Sequence, residues 1–270
     1  AEACGVRELE AALVEVSLDE SENHDLRVGA AHGLMLVGSK DAIGQLRPLL
    51  SLGTTEDANE NLKGFALRCM WPEHLDIGEV LPLLTAPREA SSGYAYREFL
   101  EREFAEGLSA EDLPGALAWV ESIVPTGREY PRTLSDAADR VLVRGWDALE
   151  DGSVAEAFAR TAYRRLSVEF HLVGEGRESF AERFAEEEAK RRIFVSALVS
   201  VMEAGADVWR IVHGIPGKEF LASDVPWMLE QLETATEDEQ LSWSSLIRLA
   251  LDRDSARDVE AVYWAMQQYP

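Results

Sequence analysis

The residues able to carry chemistry are few and scattered. Five histidines stand at His24, His32, His74, His171 and His213. No two lie four apart as on a metalloprotease helix, and no Glu-x-x-His occurs of the kind that builds a di-iron site. His74, beside Glu73, is the most tempting general base; its ring is expected instead to bond a backbone carbonyl and fix a corner. His171 lies near Glu169 and Arg177 in a stretch, 171–178, read as an exposed loop. Gly214-Ile215-Pro216-Gly217-Lys218 has the outline of a phosphate loop. Val212 stands where its first glycine is needed, however, and Glu219 where the magnesium-binding hydroxyl belongs, so a carboxylate would repel the phosphates. No serine sits in Gly-x-Ser-x-Gly. Cys69 falls on the apolar side of a helix, where an unassisted thiol is inert. The expectation is therefore no catalytic, no cofactor-binding and no metal-binding residue, and no cofactor.

Composition narrows the partners. Acids outnumber bases 50 to 26, for a net charge of −24. Phosphate backbones reward clustered Lys and Arg, so nucleic acid is not the expected partner. Lys190-Arg191-Arg192 is the best local basic patch, and it reads as a charged, solvated stretch of a long helix. Hydrophobic residues make up 46% of 270, enough for a sizeable core. The apolar runs fall short of the ~18 residues that cross a bilayer, so no membrane partner is expected. Cys4 and Cys69 form neither a C-x-x-C motif nor a framework of pairs, and reduced cytoplasmic thiols fit them best. The start at Ala-Glu-Ala-Cys and the end at Tyr269-Pro270 point to a piece of a longer chain.

The elements are helices throughout. Asp57 or Asn59 is expected to cap a helix whose stripe is Leu62, Phe65, Ala66, Cys69 and Met70. Pro72 must end it and push Trp71 out of the helical region. Asp76 then caps a short second helix with Ile77, Val80, Leu81 and Leu84 inward. The preceding segment repeats the unit: Leu26-Arg27 matches Leu62-Lys63 at 36 residues, and Leu46-Arg47-Pro48-Leu49-Leu50 matches Val80-Leu81-Pro82-Leu83-Leu84 at 34. A period of that length marks stacked helical hairpins. Further helices are predicted on Glu8 to Leu18, Tyr96 to Phe104, Leu113 to Val124, Leu134 to Trp146 and Val154 to Leu166. Beyond them a long helix runs from Phe180 to Met202, and shorter ones cover 208–212, 225–232 (capped by Ser223-Asp224), Trp243 to Ala250 and Val259 to Met266. Trp71, Trp119, Trp146 and Trp243 are expected in the core; Trp227 and Trp264 are left open. The fold predicted is an all-α, α-α superhelix, a HEAT-like helical-hairpin solenoid. Residues 1–107 form N-terminal hairpin repeats and 108–270 continue them as one solenoid.

Leu62-Lys63-Gly64, Trp71-Pro72, His74-Leu75 and the leucines ending at Leu84 resemble a block in the helical, HEAT-like repeat region of large bacterial signalling ATPases of the NACHT type, in the STAND class. Leu26-Arg27 to Leu34 looks like the repeat before that block, and Ser223-Asp224-Val225-Pro226-Trp227-Met228-Leu229 is similar to a later segment. The specific motifs lie between Leu26 and Leu84. The resemblance implies a non-catalytic scaffold that recognises a partner protein, senses, or holds an ATPase module of the parent chain inactive. The family's nucleotide-binding residues lie in a module these 270 residues do not contain, so none is carried over. The alternatives are a freestanding helical adaptor and a small hydrolase with dispersed carboxylates.

Overall fold

The computed structural model describes residues 9–87, 94–124, 132–174, 176–203 and 206–251. Cys4, part of the 85–93 loop, the break at 125–130, and the helix expected on Val259 to Met266 with Trp264 lie outside them. Among the described residues every regular element is helical and no strand occurs. The chain divides into two compact units, 1–112 with 130–140 and 113–129 with 141–270.

In the first unit, α1 (Glu10–Leu18) packs on α2 (His24–Val37), α2 on α4 (Asn61–Met70), and α4 on α6 (Tyr94–Glu98). Between α2 and α4 lie α3 (Lys40–Gly44) and a 3-10 turn, Arg47–Ser51. After α4 come α5 (Ile77–Val80) and a second 3-10 turn, Leu81–Leu83. The two copies therefore share a form: a helix, a corner, a short capped helix, and a 3-10 turn opened by a proline, Pro48 or Pro82. Ser39 caps α3 by accepting from the Ala42 amide, and Asp76 with Glu79 forms a full capping box on α5. Trp71 is extended and the Trp71-Pro72 bond is cis.

α4 departs from a simple stripe. Leu62, Phe65, Ala66 and Met70 are buried as expected, but so are Lys63, Gly64 and Leu67, while Cys69 is only half-buried. The helix is covered by α2, α6 and the turn at Arg47–Ser51. Gly64 permits this: a Cβ there would lie 2.2 Å from the Tyr96 nitrogen. α6 continues through a π turn (Phe99–Glu103) into α7 (Phe104–Glu106) and ends at Gly107.

The second unit holds α8 (Leu113–Ile123), the latter part of α9 (Arg132–Asp147), α10 (Gly152–Glu169), α11 (Arg177–Glu186), α12 (Glu188–Val201), α13 (Val208–Gly214), a 3-10 turn (Lys218–Asp224), α14 (Val225–Thr234) and α15 (Glu237–Ala250). Its core is aromatic: Trp146 meets Phe158, Phe180, Phe184 and Phe194 at ring separations of 5.0–6.1 Å. Trp119, Trp146 and Trp243 are buried, as Trp71 is in the first unit; Trp227 is half-buried. Three expectations need correction. The long helix from Phe180 breaks at Glu187, which leaves helical geometry at φ −90° and ψ 64°. Asp224 precedes α14 without capping it. The 171–178 stretch is not exposed throughout, since Leu172 and Val173 are fully buried and the Leu172 amide donates to the Gly214 carbonyl.

Candidate functional site

The residues singled out in the sequence gather around the N-terminus and the C-terminal corner of α4. Leu62 and Leu75 are buried, and Gly64 meets the backbone of α6. Lys63 is also buried. Its ammonium lies 3.2 Å from Glu60, 3.2 Å from the Thr85 hydroxyl and 4.0 Å from the centre of the Tyr96 ring. A buried ammonium needs such partners, because desolvation is otherwise prohibitive. Glu60 is itself buried and holds left-handed geometry at φ 54°. It occupies the N-cap position that Asp57 or Asn59 was expected to fill. Asp57 still serves the helix end, accepting from the Lys63 amide at 2.9 Å, while its other oxygen lies 3.2 Å from His24 Nε2. His24 at the start of α2 and Asp57 before α4 thus tie the two copies together. The sequence held a clue to this: Arg27, matched to Lys63, is also buried, and its Nε donates to the Ser17 carbonyl.

At the corner, the Trp71 indole N–H donates to the Phe104 carbonyl at 3.1 Å. Gly107 makes room for it, since a Cβ there would sit 2.1 Å from the indole nitrogen. The partner seen for His74 is through its main chain: its carbonyl accepts from Arg47, whose other nitrogen bonds Glu79. The ring-to-carbonyl bond expected for His74 is not the one that fixes the turn. Neighbouring Glu73 pairs with Lys40, and that hydrogen bond holds its carboxyl below the usual range. Pro72, at the corner, is exposed.

Arg68, on the accessible side of α4, is held by Glu103 at 2.8 Å and Glu98 at 3.0 Å. Desolvation alone would lower its pKa, but the bond to Glu103, the charges of Glu103 and Glu98 and a bond to Tyr94 raise it overall. The i→i+5 spacing of the π turn is what sets Glu98 and Glu103, five apart, on one side. Next to Arg68, burial pushes the Cys69 thiol up to about 12 against the opposing charge of Arg68, so it is a poor nucleophile.

In the second unit Arg191 is buried rather than solvated. Its Nε donates to Asp224 at 2.5 Å, and Nη1 donates to the Phe184 and Ala185 carbonyls at 2.7 and 2.9 Å. Those carbonyls belong to the last turn of α11, so the arginine takes up acceptors that the break at Glu187 frees. Arg192 donates to the other Asp224 oxygen at 3.0 Å and lies over the Trp227 ring. The stretch expected to be a charged, solvated run of one helix is therefore in part a structural clamp, in which Arg191 and Arg192 hold Asp224 while it leaves α14 uncapped. His171 leans on Glu169, which is shared with buried Arg165. Phe170, at φ 65°, stacks on Trp209, and Trp209 on His213 at 4.3 Å. Gly217 has φ 75° and packs against Ala181, a tight turn rather than a phosphate cradle.

Among the described residues no group of three or more His, Cys, Asp or Glu could hold a metal ion, and no helix is long and apolar enough to cross a membrane. A scan against protein-family models and searches of curated proteins and of solved structures find no match to this chain.

Proposed function

We propose that the chain is a non-catalytic scaffold: a HEAT-like superhelix of hairpins within a larger bacterial, cytoplasmic signalling ATPase of the NACHT/STAND type, serving recognition, sensing or autoinhibition. The observation that carries this reading is the recurrence in three dimensions of one unit, helix, corner and proline-opened 3-10 turn, at 24–51 and 61–83. Neither copy can bury its own apolar faces, and α2 and α4 cover each other.

The test is the parent gene and its product. A phosphate loop and an acidic magnesium motif encoded upstream in the same frame are expected, and deleting residues 1–270 from that parent should change its ATP hydrolysis rate. A frame without a phosphate loop, or hydrolysis indifferent to the deletion, overturns the reading.

A further inference from the structure

The aromatic core of the second unit holds a polar atom that nothing answers. Trp146 is fully buried, and its indole N–H has no hydrogen-bond partner among the described residues. Buried donors are ordinarily bonded, and each exception calls for a reason. The rings around it, Phe158, Phe180, Phe184 and Phe194, offer only π faces, which accept more weakly than oxygen. Trp71, the buried indole of the first unit, does find a carbonyl.

Of the four rings, Phe180 lies nearest, edge-on at 5.0 Å, and it is the most weakly held. It stands in the first turn of α11, whose N-cap is Gly176 at φ 73° with no capping side chain. Arg177, Glu178 and Ser179 are exposed, so Phe180 is the only buried residue of that turn. The rest of α11 is fastened. Ala181 lies against the Gly217 turn, Arg183 pairs with Asp147 and Glu187, and Arg191 holds the Phe184 and Ala185 carbonyls. An uncapped first turn with little buried surface opens at a free energy well short of global unfolding. Phe180 can therefore leave while Phe184 stays, and the space it vacates borders the Trp146 indole.

We propose that Phe180 is a displaceable plug over a ligand site, and that the ligand is a small neutral aromatic molecule carrying one hydrogen-bond acceptor, such as an aryl ketone. Its ring takes the place of the Phe180 ring, and its oxygen accepts from Trp146 Nε1. Small-molecule sites are built this way, apolar with a few placed polar groups. The ligand is neutral because a charge among these rings would be unpaired. This names a ligand class for the sensing role proposed above and rests on that reading.

The probes are acetophenone and α-methylstyrene, which has the same shape with a methylene in place of the carbonyl oxygen. Each is titrated into the full chain by calorimetry. Acetophenone should bind about tenfold or more tighter than α-methylstyrene, the discrimination that one buried hydrogen bond supplies. Phe180→Ala removes the plug and should tighten acetophenone about tenfold or more, with the preference kept. Trp146→Phe should erase the preference, with circular dichroism checking that the variant is folded. Hydrogen exchange reads the plug itself. The Phe180 amide, bonded to the Gly176 carbonyl at 2.9 Å, should exchange faster with acetophenone bound, while the amides of α10 do not. No acetophenone binding to wild type or to Phe180→Ala, equal binding of the two probes, a preference that survives Trp146→Phe, or a Phe180 amide as protected as before overturns the site. If Trp146→Phe does not fold, the two probes on wild type and Phe180→Ala decide. The deletion in the parent chain is a separate result. A null there beside selective binding here keeps the site and removes the scaffold reading, and the converse keeps the scaffold and removes the site.

Discussion

Alanine at Gly64 and alanine at Gly29 should move stability in opposite directions. Both glycines lie inside helices that occupy equivalent places in the two hairpins, α4 and α2. Alanine in a helix interior gains ~1 kcal/mol over glycine through lower backbone entropy in the unfolded chain. At Gly29 nothing lies within 4 Å of the added carbon, so this gain should appear in full. At Gly64 the carbon would fall 2.2 Å from the Tyr96 nitrogen, 2.6 Å from the Ala95 carbonyl carbon and 2.7 Å from the Tyr96 Cα. These are backbone atoms, which cannot rotate away, so α4 and α6 must separate. Overpacking costs ~1–3 kcal/mol when side chains can adjust, and the top of that range or more applies here. Net of the propensity gain, Gly64→Ala should lose about 2 kcal/mol or more. At ~2–4 °C per kcal/mol for a chain of this order, Gly64→Ala should melt about 4–8 °C lower and Gly29→Ala about 2–4 °C higher. Far-UV circular dichroism during heating, with urea titration beside it, measures both. A Gly64→Ala protein as stable as wild type would refute the close crossing of α4 and α6, and with it the cover that makes the hairpins interdependent.

Trp71→Ala should cost about 3–5 kcal/mol, because it empties a buried site and strands the Phe104 carbonyl; an unchanged melting midpoint would place the ring outside the core. Asp224→Asn should cost about 3–5 kcal/mol by leaving the buried Arg191 charge unanswered, and a loss under ~1 kcal/mol in urea unfolding would deny the clamp. Stability should also fall in acid. Asp19, Glu73, Glu79, Asp151 and Glu187 titrate lower in the folded chain than their ordinary values of 3.8 and 4.5. Their contribution is therefore complete above those values and is lost as pH drops through the lower folded ones. Melting midpoints across this range should decline below about pH 4.5, and a rise there would contradict the assignment.

Much was legible because it is local. Caps work over three or four residues, so Asp76 and the proline stop at Trp71-Pro72 could be read directly. Helical spacing likewise placed Leu134, Val141 and Trp146 inside. The site was less legible. Lys63 and Asp57 were visible only as a helix-forming cation and a cap, since their partners His24, Thr85 and Tyr96 come from elsewhere in the chain. The match of Lys63 to Arg27 was the signal available, and it pointed to burial only once both helices were seen packed.

By itself, then, the sequence determined that the chain is helical, where most helices begin and stop, and which aromatic rings lie inside, because periodicity and capping act within a turn or two. Tertiary structure decided the rest. It broke the helix at Glu187, where Arg191 takes up the freed carbonyls and draws Asp224 from 33 residues away. It wrapped α4 on nearly every side and opened a π turn to aim two glutamates at Arg68. The physical reason is the same in each case: a buried charge or an uncovered face is satisfied by whatever packing brings near, and spacing along the chain carries no record of that neighbour.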